Sequence, residues 1–285
     1  MAEKKRRREA FFKKHPKCCF CGGERDAVEI DHQPPKTFFT LKDKFPQELR
    51  FPTCSQCNRN SRLLDPLLGY WTSFSPGGSF APQGEEFRKM MEHFVNNSHP
   101  LMPFMISNSD KRNFARKHGL KKLAGITWDE FPVIGGDRNV LDALNLSIAK
   151  LGVALFYHLE KSIPQVGAKI KVYKDINVSL GGSDIAEKFG VKEIGLYYPL
   201  TNGAQQKDFG FNLRDDSENA LVAVLIGLKN SIFASVVIAE PSYVDEEIEG
   251  IKIDFDYVVT REGFPWGTDL NKLLAGSSSG NPYRK

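Results

Sequence analysis

Five cysteines fall between positions 18 and 57, and the other stretches of the 285-residue chain contain none. Cys18 and Cys21 are separated by two residues, and so are Cys54 and Cys57. A C-x2-C knuckle turns the backbone so that both sulfurs aim at one point. Two knuckles supply four thiolates for a tetrahedral zinc, with Zn–S distances of about 2.3 Å. Buried thiols or a disulfide pair are the bland alternative. Clustered cysteines in a chain that opens on charged residues, with no secretory signal, point instead to metal or redox chemistry. A redox pair needs only one C-x-x-C, in a βαβ setting the sequence lacks. Cys19 is the odd thiol, and it could replace Cys18 only through a tighter one-residue spacing.

Between the knuckles lies Asp31-His32, preceded by the strand-like Val28-Glu29-Ile30 and followed by Pro34-Pro35, which stops a regular ladder. Neighbours on a strand face opposite ways. Asp31 is therefore suited to hold a hard cation while His32 acts on a water. Asn58 follows the last cysteine on an expected short helix, Ser55 to Leu64, where its amide oxygen can turn toward the same cation. Plainer roles stand beside these: His32 as a further zinc ligand, and Asn58 as a helix cap.

The run C-x-x-C-G, then D-H, then C-x-x-C-N resembles the HNH endonucleases of the ββα-metal type. More closely, DHQPPKTFF with the later FPTCSQCN is similar to a group of bacterial and phage HNH-like proteins with a D-H-x-P-P motif. The likeness covers residues 16–65, with a lesser one at 139–162 around LFYHLEK. It implies that His32 is the general base and that Asp31 and Asn58 hold one Mg2+ or Mn2+ against the scissile phosphate. It also implies that Cys18, Cys21, Cys54 and Cys57 hold a structural zinc. An ordinary His, with a pKa of about 6.5, is largely neutral near pH 7 and can accept the proton of the attacking water. One departure stands out. The family carries a polar residue, often Asn, a few positions before the second knuckle. Here that region reads Pro46-Gln47-Glu48-Leu49-Arg50, with Gln47 as the candidate replacement.

The elements that must position these residues are embedded in basic sequence. Residues 1–17 carry eight Lys or Arg against two Glu, with no helix breaker before Pro16. They read as a helical basic arm docked through Phe11 and Phe12, or as a solvated tail. Residues 1–65 are net +6 while the whole chain is +4, so the positive charge sits with the proposed site. Lys36, Lys42, Lys44, Arg50, Arg59 and Arg62 add to it. Arg59 and Arg62 are three apart on the expected short helix and share a face. Lys36, Arg59 and Arg62 are the expected contacts to nucleic-acid phosphates, a salt-sensitive and sequence-independent kind of binding.

Beyond residue 65 the chemistry thins out. The aromatics of residues 66–85 suit packing better than base stacking. Glu85 to Val95 is an expected helix with a buried stripe of Phe87, Met90, Met91 and Phe94. Ser109 to His118 is an expected basic helix. Asn139 to Glu160 is the longest one, apolar on more than one side and so central to its surroundings. His93, His99, His118 and His158 are given no chemistry. Strand-like runs follow at Glu193–Leu200, Phe209–Leu213, Ala220–Leu228, Ser231–Ala239 and Ile253–Val259, parted by turn signals at Asn202-Gly203 and Lys229-Asn230. No phosphate-binding or dinucleotide glycine pattern, nucleophile elbow or second metal cluster accompanies them.

The expected fold class is α+β: a zinc-bound ββα-metal module followed by a helix-plus-antiparallel-sheet domain. The expected parts are a basic arm at 1–17, the HNH module at 18–72, an α+β domain at 73–275 and a tail at 276–285. The expected function is metal-dependent hydrolysis of phosphodiester bonds in DNA, in a cytoplasmic setting with no membrane span. The role of such modules as phage, defence or mobile-element nucleases enters by analogy alone. The C-terminal domain could serve a partner protein or a second copy of the chain. The rival is a non-catalytic zinc module that binds nucleic acid or a protein. Asp31 and Asn58 discriminate, because a pure binding module has no use for a carboxylate and an amide converging on a second metal.

Overall fold

The computed structural model describes residues 2–38, 48–62, 64–72, 108–117, 138–176, 209–216, 220–228, 232–243 and 253–262. The helix expected at Glu85–Val95, the strand expected at Glu193–Leu200 and the Asn202-Gly203 turn lie outside these residues. The rest is mixed helix and sheet, and both sheets are antiparallel.

The organising element is a 23-residue helix, Arg138–Glu160. From Ala143 to Phe156 its apolar side chains are buried on every side. A helix apolar all round belongs inside a core. Among the described residues the α-helices are α1 (Ala2–Lys14), α2 (Ser55–Ser61), α3 (Asp65–Thr72), α4 (Asn108–Lys117) and the long helix as α5. One side of α5 meets α3, where the Ser147 hydroxyl donates to the Leu64 carbonyl at 3.2 Å. Another side lies on a five-stranded sheet. Gly152 makes that approach close: a Cβ there would sit 2.5 Å from Val236.

The larger sheet has the order β4-β5-β6-β3-β7, from strands β3 (Lys169–Ile176), β4 (Phe209–Asp216), β5 (Leu221–Leu228), β6 (Ile232–Ala239) and β7 (Tyr257–Val258). β5 and β6 pair antiparallel from Leu228↔Ile232 to Leu221↔Ala239, and the turn expected at Lys229-Asn230 lies outside the described residues. β6 is buried almost throughout, as its run of Ile, Phe, Ala and Val requires. The strand expected at Ile253–Val259 forms only at Tyr257–Val258. Upstream, the Asp256 carboxylate accepts the Val172 N–H at 2.9 Å and the Lys171 ammonium at 3.0 Å, so a side chain replaces a backbone rung.

The smaller sheet is the two-stranded pair β1 (Glu29–His32) and β2 (Arg50–Thr53), in the register Asp31↔Phe51 and His32↔Arg50. A short 3-10 turn, Lys36–Phe38, follows β1. The cysteines, Phe20, Phe51, α3, α5 and the large sheet belong to one buried apolar cluster. The N-terminal helix is docked as well as basic: Arg8 donates to the Val28 carbonyl at 2.6 Å, and His15 Nδ1 meets the Tyr157 hydroxyl at 2.6 Å.

Candidate metal centre and the adjoining Asp-His pair

Each knuckle is built by its local backbone. After Cys21 the chain turns through Gly22 and Gly23, both at positive φ, a region that glycine enters without a Cβ penalty. The Phe20 N–H reaches the Cys18 sulfur at 3.5 Å. The second knuckle sits at the start of α2, where Cys54 is the N-cap and its sulfur accepts the Cys57 N–H at 3.4 Å. The two knuckles are brought together because β2 delivers Cys54 beside the first turn; the Cys19 N–H donates to the Pro52 carbonyl at 3.0 Å.

The sulfurs of Cys18, Cys21, Cys54 and Cys57 all lie within 4.8 Å of one another, and all four residues are buried. A tetrahedral zinc with bonds of about 2.3 Å needs sulfurs about 3.8 Å apart, so the donor set fits a four-thiolate ion with little movement. Mutual hydrogen bonding holds Cys54 far below the ordinary thiol range and Cys57 far above it, as expected of sulfurs crowded on one centre. The group is positioned to bind a metal ion. Cys18 joins it and Cys19 does not; burial pushes the Cys19 thiol well up, keeping it protonated. Among the described residues this is the only group of three or more His, Cys, Asp or Glu with such reach.

Asp31 and His32 sit at the end of β1, one inward and one half-exposed. Burial and then Lys36 lower the His32 pKa to about 4; Asp31 acts in the opposite direction, and Arg50 adds a still smaller lowering. The imidazole is therefore neutral at pH 7 and chemically able to accept a proton. Asp31 is 5% exposed and fully engaged. Its Oδ1 accepts the His32 N–H at 2.7 Å. Its Oδ2 takes the Gln33 amide at 3.3 Å and the Lys150 ammonium at 2.5 Å. Asn58, half-buried on α2, donates its amide to the Glu29 carboxylate. The structure thus gives Asp31 and Asn58 separate partners.

Lys150 is the residue that sequence reasoning missed. It is 1% exposed on α5, and its ammonium also donates to the Ser61 hydroxyl at 2.6 Å and lies 3.7 Å from Asp65. Burial alone would lower it, but Asp31 and Asp65 outweigh burial and hold it above its ordinary value. Burial also pushes Asp65 up to about 7, against the pull of Lys150. The available signal was a lone Lys inside the apolar run LSIAKLGVALF. Glu29 was legible too, since i and i+2 on a strand share a face with Asp31.

Lys36, Arg59 and Arg62 are all exposed. Lys36 and Arg50 act on His32 directly through charge. Lys42, Lys44, Gln47, His93, His99 and His118 lie outside the described residues. His158 is a packing residue: its ring meets Phe51 and Phe211 edge-on at 6.5 and 5.9 Å.

Among the described residues, no helix is long and apolar enough to cross a membrane. Searches found no matching family model, no matching curated protein and no matching solved structure.

Proposed function

We propose that residues 18–72 form a zinc-stapled nuclease module of the HNH type that hydrolyses phosphodiester bonds in DNA. The observation that carries the reading is His32. It is a neutral, half-exposed imidazole at the end of β1, in the strand pair whose other strand leads into Cys54, and under the positive field of Lys36 and Arg50. In the proposed reaction His32 takes a proton from water. The water oxygen forms a bond to phosphorus, the bond from phosphorus to the leaving oxygen breaks, and the leaving oxygen keeps the electron pair and takes a proton from solvent. Lys36, Arg59 and Arg62 meet the flanking phosphates, and α1 extends the basic surface. The zinc is structural: it holds β2 and α2 against the first knuckle.

A divalent ion of the Mg2+ or Mn2+ class on Asp31 and Asn58 does not fit the arrangement as it stands. Asp31 already carries an ammonium and two N–H donors, and the Asn58 amide is turned to Glu29. No step is therefore routed through such an ion. The same observation favours the second reading, a zinc module that binds nucleic acid without cutting it.

Incubating supercoiled plasmid with zinc-loaded protein, alone and with Mg2+, Mn2+ or Ca2+, separates the two. Nicked or linear product supports the nuclease. Retarded but intact plasmid under every ion supports the binding module.

A further inference from the structure

Arg25 follows the first knuckle in sequence and reaches the second in space. Its carbonyl accepts the Cys18 N–H at 2.9 Å, and its own N–H donates to the Cys21 sulfur. Its guanidinium donates to the Glu262 carbonyl at 3.0 Å and to the Cys54 sulfur. One residue therefore touches ligands of both knuckles. The Gln56 amide, from inside the second knuckle, donates to the same Glu262 carbonyl at 3.0 Å. The turn after β7 thus holds the guanidinium and the second knuckle at one oxygen. The carboxylates on either side of Arg25 have other partners: Asp26 accepts the Lys17 ammonium at 2.8 Å, and Glu24 meets Arg261 at 3.8 Å.

Four thiolates on one zinc carry two negative charges in excess. All four cysteines are buried, so water screens that charge poorly. A guanidinium is always charged, is weakly hydrated and spreads its N–H donors in a planar fork, so it can serve a sulfur and a carbonyl at once. Groups that hydrogen-bond to metal ligands orient them and tune the affinity for the ion. We propose that Arg25 is the outer-sphere cation of the four-cysteine centre: it offsets the excess charge of the zinc-bound thiolates, fixes Cys54 and ties the centre to the turn after β7. The inference rests on the zinc reading of the four cysteines and not on the nuclease.

The test is competition for zinc with a chromogenic chelator, on full-length wild type, Arg25→Lys and Arg25→Gln. Arg25→Gln is expected to bind zinc about 10–100-fold more weakly than wild type. Arg25→Lys, which keeps the charge but not the fork, should fall between them. Cobalt-loaded protein gives a second readout. Losing a hydrogen bond raises the energy of the sulfur lone pairs, so the thiolate-to-cobalt absorption of Arg25→Gln should move to longer wavelength, which a packing defect alone does not produce. Weaker zinc binding with an unmoved cobalt band, or Arg25→Lys as weak as Arg25→Gln, overturns the proposal. Should Arg25→Gln not fold, Arg25→Lys decides: it must bind zinc more weakly than wild type and show the moved band. Wild type that takes up no zinc overturns the zinc reading and the proposal together; zinc-loaded wild type matched in affinity by Arg25→Gln overturns the proposal alone.

Discussion

Removing the Lys150 charge tests how the four-cysteine segment is fastened to α5. Lys150→Met keeps nearly the same volume, so the cavity cost is small and the electrostatic cost dominates. The side chains of Lys150 and Asp31 are 1% and 6% exposed, with nitrogen and oxygen 2.5 Å apart. At that separation the direct attraction is about 7 kcal/mol for an effective dielectric of about 20, and desolvation offsets much of it. Breaking a buried pair by deleting one partner costs about 3–5 kcal/mol, because the other charge is left uncompensated. Asp65 also loses the Lys150 charge 3.7 Å away, but Arg62 continues to act on it. At about 2–3 °C per kcal/mol for a chain of this size, the melting temperature should fall by about 6–15 °C. The assay is thermal and urea unfolding of zinc-loaded protein in buffer free of other divalent ions, for both single variants and the double Lys150→Met/Asp31→Asn. The double should recover part of the loss, with a coupling of about 2 kcal/mol or more. A single variant within about 1 kcal/mol of wild type, or strictly additive effects, would refute the reasoning.

Four further outcomes are expected. The protein should carry one zinc per chain; Cys57→Ser should lose it and melt the zinc-bearing segment, as read by metal analysis and circular dichroism, because structural zinc contributes directly to folding. Activity should persist on acidification, with the acid limb of the pH–rate profile near 4 instead of 6.5. The folded pKa of His32 lies below its unfolded value, so its contribution to stability is complete above about pH 6.5 and is lost as pH falls toward 4, which pH-dependent unfolding can follow. Gly22→Ala should destabilise by about 1–3 kcal/mol and loosen zinc, since its Cβ would come 2.5 Å from Val166 Cγ2 at φ +65°; a competition assay with a zinc chelator reads the second effect.

Residues that act through short spacing were legible in the sequence. The two C-x2-C pairs place four sulfurs on one centre because each knuckle is closed by its own backbone. The apolar run of Asn139–Glu160 marked a central helix because burial on all sides leaves no polar face. Strand β3 was less visible, although Ile170 and Val172 alternate with the half-buried Lys169 and Lys171. Long stems of lysine cover apolar surface and blur the pattern. Lys150 could be flagged as unusual, but its partners lie 119, 85 and 89 positions away, and no local rule pairs it with Asp31, Asp65 and Ser61. The turn of the Asn58 amide toward Glu29 was hidden for the same reason: it depends on how α2 packs on β1.

The central claim is that His32 accepts the proton of the attacking water, and His32→Ala measures it most directly. Wild-type and variant protein, each shown to hold one zinc, are compared for single-turnover plasmid cleavage under the ion conditions that give the fastest wild-type rate. The expected result is a loss of about 10²-fold or more in the variant, as for removal of a general base, with DNA retention in a gel unchanged. Cleavage by zinc-loaded His32→Ala at the wild-type rate would contradict the claim.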